Sequence, residues 1–201
     1  MPFALRITGV IDELSRWLGL VAAWFTLFAA LVSAFTAIFR YLTAPMLTLE
    51  RSIGGGFFSF IVSLYANSAN VLQESQWYLF AGAVMLGSAW TLKVNEHVRV
   101  DVLYGMASNS VRTWTDLLGH IFFLLPLCII MTSLTAPWFW DAYVSHEVSN
   151  SFGGLPRWPV KLALPAGFGL LGLQAVGEII KCVLSLMGRY TRDISYQRPL
   201  Q

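Results

Sequence analysis

The segment FFSFIVSLYANSANVLQ, residues 57–73, carries no charge, and whether it crosses a bilayer decides how the chain is organised. On a helical wheel Phe57, Phe58, Ile61, Leu64, Tyr65, Val71 and Leu72 share one side, while Ser59, Ser63, Ala66, Asn67, Asn70 and Gln73 share the other. That division predicts an amphipathic helix over 57–72 lying in the membrane interface. As an extra buried span it would set Asn67 and Asn70 against lipid, a costly placement without hydrogen-bond partners. The turn signal Ser52-Ile53-Gly54-Gly55-Gly56 stands immediately before it.

Outward from this segment the chain reads as a membrane protein. It is 56% hydrophobic and 12% charged, with a mean hydropathy of +0.62, about half the charge of an ordinary soluble domain. The net charge of +2 and the dispersal of its basic residues between apolar runs argue against a nucleic-acid partner. Cys128 and Cys182 lie inside apolar runs, so packing is expected of them and neither a disulfide framework nor a cysteine metal site.

Trp17 to Phe39 is free of charge and longer than the about 20 residues needed to cross a bilayer. This run is too long for a signal-peptide core and has no cleavage site after it, so it is expected to remain as the first span, 17–39. Arg40-Tyr41 close it, and Pro45 is expected to end the helix. Before it, Phe3, Ile7, Val10, Ile11 and Leu14 recur at helical spacing and predict an interfacial helix over 3–16. A second span, 74–93, opens at Glu74 and Trp77, with Gly82 and Gly87 allowing close helix approach. The strip Glu96-His97-Val98-Arg99-Val100-Asp101 follows, and with its valines predicts a further interfacial helix over 96–112. A third span, 114–138, contains Pro126 as a possible kink. Asp141 to Trp158 reads as a polar connection, and a fourth span covers 160–187. The fold class is therefore all-α integral membrane protein, with four transmembrane helices plus interfacial amphipathic helices in one membrane domain, 1–201. Arg6, Arg16, Lys93, Arg99, Arg112, Lys181, Arg189, Arg192 and Arg198 fall on the side of both termini, against Arg40, Arg51, Arg157 and Lys161 on the other. That excess predicts cytoplasmic termini.

The ionisable residues gather at span ends, and no mid-membrane acidic pair, broken helix or inverted repeat suggests a carrier working alone. Glu178 and Lys181, one turn apart, predict a structural ion pair. Thr26, Ser33, Ser88, Thr132, Ser133 and Gln174 can hydrogen-bond between helices. No catalytic set marks an enzyme. The alternative, a haem- or quinone-binding anchor subunit of an oxidoreductase, would draw on His97 and His120 as axial ligands.

Arg40-Tyr41 with Pro45, Glu74 opening the second span, Gly87 ten residues before His97, and His97-Val98-Arg99-Val100-Asp101 resemble the small permease subunit (DctQ type) of tripartite ATP-independent periplasmic (TRAP) transporters. Gln73-Glu74-Ser75-Gln76-Trp77, and Glu147-Val148-Ser149 with Gly153-Gly154-Leu155-Pro156, are similar to a longer branch associated with 2-oxo acids, mannitol or chloroaromatic compounds. The insert at 57–72 departs from shorter members of that family. The resemblance implies an inner-membrane, multi-pass scaffold subunit of a sodium-driven importer of an organic acid or related solute. It also implies two partners, a large membrane subunit holding the sodium and substrate sites and a periplasmic substrate-binding protein, with no cofactor or metal in this chain. Arg40, Glu74, His97, Arg99, Asp101, Glu147, Glu178 and Lys181 are the expected structural or partner contacts.

Overall fold

The computed structural model describes residues 2–94, 108–151 and 153–190. The strip His97 to Asp101 lies outside them. Helix α1 is Pro2–Ile53 and helix α2 is Phe57–Val94. Helix α3 is Asn109–Val144, and helix α4 is Trp158–Leu186. Among the described residues there is no strand, only an isolated bridge between Val148 and Pro156. α1, α3 and α4 are long and apolar enough to cross a membrane.

Two expected breaks are absent. Residues 3–16 and the span 17–39 form one helix that runs through Pro45 to Ile53, 52 residues or about 78 Å at 1.5 Å per residue. Likewise 57–72 is no separate surface helix but the first half of α2. The reason is the partner. α1 and α2 pack antiparallel along their length, joined by Gly54, Gly55 and Gly56, all at positive φ that other residues rarely adopt. Tyr65 stacks on Phe39 with ring centroids 5.2 Å apart, its hydroxyl donates to the Thr36 carbonyl at 3.1 Å, and Ser59 donates to Glu50 at 3.2 Å. These contacts span Pro45 on both sides and offset the about 3 kcal/mol that a proline costs inside a helix. Of the apolar side read at 57–72, Phe58, Ile61, Tyr65, Val71 and Leu72 are half-buried, while Phe57 and Leu64 are exposed. A stripe of this kind fits a neighbouring helix as well as a lipid surface, and here the helix takes it.

At the N-terminal end of α1 the apolar stripe read at 3–16 is divided between the outer and inner faces. Phe3, Val10 and Leu14 are exposed, whereas Thr8, Ile11 and Ser15 are buried. In a bilayer the surroundings are apolar, so small and polar side chains turn inward, where partners exist.

Close approach depends on glycine. A Cβ on Gly82 would stand 2.7 Å from the Phe25 ring, one on Gly19 would stand 2.7 Å from Trp90, and one on Gly167 would stand 2.6 Å from Met85 Cβ and 3.0 Å from its carbonyl oxygen. Gly82 and Gly19 seat α1 on α2, and Gly167 seats α4 on α2. Cys128 and Cys182 are both buried.

α3 begins at Asn109, so its first turn takes in the last residues expected of the 96–112 helix. It continues to Val144 and includes Asp141, which shortens the expected connection to Ser145–Arg157. Inside it, His120–Leu124 forms a π-helical turn, with the Leu125 N–H donating to the His120 carbonyl. Pro126 follows at once. Its ring lacks an N–H and crowds the carbonyl four residues back, and widening the preceding turn accommodates both effects.

Candidate functional site

Polar side chains that lie apart in the sequence converge in two clamps. The first joins α1 to α4. Lys181 Nζ bonds Asp12 Oδ1 at 2.7 Å and Glu178 Oε1 at 2.8 Å. Gln174 Nε2 donates to the same two carboxylates, at 3.0 and 3.2 Å, and its Oε1 accepts from Ser15 Oγ at 2.7 Å. Gln174, Glu178, Lys181 and Ser15 are all buried. α2 adds Lys93, whose Nζ reaches the Asp12 backbone carbonyl at 3.4 Å and lies 4.6 Å from the Trp90 ring centre. The Glu178–Lys181 pair therefore stands in the structure as half of a larger network. Asp12 completes it.

The second clamp closes the other end. Glu74, buried near the middle of α2, receives the Ser149 hydroxyl on one carboxylate oxygen and the Leu155 N–H on the other at 2.9 Å. Those donors belong to the loop between α3 and α4. Its two limbs pair through Ser149 N–H to Leu155 O at 3.0 Å and Arg157 N–H to Glu147 O at 2.8 Å, and Tyr78 Oη donates to the Pro156 carbonyl at 3.1 Å. Gly153 turns the loop at φ +69°, and a Cβ on Gly154 would meet the Ser149 carbonyl oxygen at 2.8 Å. Glu147 then binds Lys161 at 2.5 Å and Arg157 at 3.4 Å, and Lys161 sits 4.4 Å from the Trp138 ring centre. The Lys161 hydrogen bond, aided by the nearby charges of Lys161 and Arg157, holds the Glu147 carboxyl below its ordinary pKa. Lys161 and Lys181, twenty positions apart on α4, are separated by about 30 Å, the thickness of a bilayer's hydrocarbon core.

Of the residues singled out by sequence, the structure thus brings Glu74 and Glu147 onto one loop and Glu178 and Lys181 into one network. His97, Arg99 and Asp101 lie outside the described residues. Arg40 is exposed on α1 and has no ion pair or hydrogen bond among them. Sequence reading missed Asp12, Ser15 and Lys161 as network members. The hydroxyls expected to bridge helices turn back on their own: Thr26 donates to Ala22 O, Ser88 to Met85 O and Ser133 to Ile130 O. Of that expected group, Gln174 does bridge helices, bonding Ser15 and Asp12 of α1. His120 is buried, with Nδ1 2.6 Å from the Asp116 carbonyl of its own helix.

Apolar helices fastened to one another by charged clamps at the two ends of a bilayer-length helix define an integral membrane protein. The family described as Tripartite ATP-independent periplasmic transporters, DctQ component, matches residues 57–185, more than half of the chain, and the protein belongs to it. It is the small subunit of a TRAP transporter, a multi-pass protein of the inner membrane, and its family is a transporter component rather than an enzyme family. The family operates with a large TRAP membrane subunit and a periplasmic binding protein. The match lends no support to the haem or quinone alternative. No curated protein and no solved structure matches the chain.

Proposed function

We propose that this subunit is a brace: it stabilises the large subunit of a sodium-driven transporter that imports an organic acid delivered by a periplasmic binding protein. The observation that carries this reading is the use made of the charged side chains in the two clamps. Asp12, Glu178, Lys181, Glu74, Glu147 and Lys161 are engaged with one another, with the α3–α4 loop or with Gln174. Side chains so committed serve the shape of the subunit, whereas a carrier's ion site needs oxygens that exchange ligands. In this reading α2 is the fourth span, both termini are cytoplasmic, sodium binds in the large subunit, and His97, Arg99 and Asp101 contact that subunit from the cytoplasmic strip.

Reconstitution tests the division of labour. The chain alone in liposomes should move no organic acid under a sodium gradient, and adding the large subunit and binding protein should give uptake. In the complete system Glu178→Gln should leave the sodium stoichiometry unchanged even where it lowers the amount of assembled complex. Sodium-driven uptake by this chain alone, or an altered stoichiometry in that variant, refutes the brace.

A further inference from the structure

Two clefts between α1 and α2 adjoin, with part of their lining in common. The wider, of about 1110 Å³, is lined by Thr36, Arg40, Tyr41, Tyr65, Gln73 and Gln76 among others. The narrower, of about 320 Å³, is lined by Thr26, Ala29, Ala30, Ser33, Trp77 and Phe80, together with Gln76. Ser33, Gln76 and Trp77 belong to both. Along the two adjoining clefts the lining changes character, from Arg40, Gln73, Gln76 and Thr36 set among Ala37, Val62, Ala66 and Ala69 at one end to alanine and aromatic carbon around Ala29, Ala30 and Phe80 at the other.

The geometry points to a bound phospholipid, with its phosphate against Arg40 and an acyl chain laid along Ala30, Ala29 and Phe80. Arg40 is the cation at the polar end and has no ionic partner among the described residues. A guanidinium offers a planar fork of donors suited to phosphate oxygens, and Gln73, Gln76 and Thr36 add neutral donors beside it. Tyr41 is exposed next to it, as an amphipathic ring at headgroup level would be. The dimensions agree. From Arg40 to Thr26 is fourteen positions along α1, about 21 Å. One leaflet, taking half of the hydrocarbon core and half of the headgroup regions, measures about 20–22 Å. A free phosphate would use the Arg40 end alone and leave the apolar cleft without purpose. A protein segment would need no such change of polarity at that depth. The inference rests on the reading of α2 as a span, but not on the bracing role.

Native mass spectrometry of the full chain, released from detergent and titrated with phosphatidylglycerol, tests it. One lipid per chain should be retained, and Arg40→Gln should weaken retention about tenfold, the worth of one charged hydrogen bond. Ala29→Phe, which fills the apolar half and leaves Arg40 in place, should weaken it as well, so that the site is testable even if one variant folds poorly. Diacylglycerol, with the same chains and no phosphate, should bind at least as weakly as phosphatidylglycerol does to Arg40→Gln. Three results would overturn the assignment: equal retention of diacylglycerol, displacement of the lipid by inorganic phosphate at matched concentration, or wild-type retention in both variants. Expulsion of the lipid on assembly with the large subunit, with cross-links formed across the clefts, would overturn it too.

Discussion

Lys181→Met removes a cation that Asp12 and Glu178 share, and its cost can be worked from the clamp. The Lys181 side chain is 9% exposed, that of Glu178 6% and that of Asp12 22%, so water replaces the lost ammonium poorly at Glu178. Removing one partner of a buried ion pair costs about 3–5 kcal/mol. For a chain of this size that loss corresponds to a drop in Tm of about 6–20 °C. Melting in detergent at pH 7 should show this drop. The triple variant Asp12→Asn, Glu178→Gln, Lys181→Met, which removes the three mutually paired charges and leaves Lys93 on the Asp12 carbonyl, should regain most of the loss. A Tm within about 2 °C of wild type for Lys181→Met, a difference of under 1 kcal/mol on the same scale, would refute the reasoning, as would a triple variant no better than the single.

Two further outcomes follow from the other contacts. Because the Lys161 hydrogen bond lowers the Glu147 pKa, the stability it contributes is present above the unfolded carboxylate pKa and is lost as pH falls through the folded one. The Tm gap between wild type and Glu147→Gln should accordingly be open at pH 7 and close under acid, and a gap that widens on acidification would contradict the assignment. Gly167→Val should part α2 from α4, since even a Cβ would lie 2.6 Å from Met85 Cβ. Overpacking of this kind costs about 1–3 kcal/mol, to be read as a lower Tm and compared with Gly169→Val, where the added Cβ meets nothing within 4 Å.

What could be read from the sequence was the set of apolar runs, and what could not was their partners. The α4 limits lie within two residues of the span read at 160–187, because charges and turn residues punctuate its ends. Glu178–Lys181 was legible because both lie on one helix. Asp12 was not, because its bonds cross to α4 over 162 and 169 positions, and no local spacing encodes such a contact. A signal existed nonetheless: Thr8, Ile11, Asp12 and Ser15 fall at helical spacing, and in a membrane a small and polar stripe marks the inner face. Glu74 was singled out as a span opener, yet its position inside a continuous helix and its hold on the α3–α4 loop depend on a fold that brings residues 74, 149 and 155 together. Pro45 misled for a related reason, since a helix-breaking cost is overruled by packing that only the α1–α2 hairpin supplies.

That hairpin has a consequence for how the subunit can change in length. α1 is unbroken from Asp12, which enters the first clamp, to Thr36, which accepts from Tyr65. One residue added between them turns everything beyond it by about 100° at 3.6 residues per turn, pulling one end out of contact. Residues beyond the Phe39–Tyr65 stack join neither clamp, and the Ser59–Glu50 contact there lies within the arm itself. Seven removed from each limb, on either side of Gly54, Gly55 and Gly56, shorten both helices by about 10 Å and return them almost to phase, short by about 20°. The arm can thus be trimmed or extended in matched heptads during descent while both clamps stay in place.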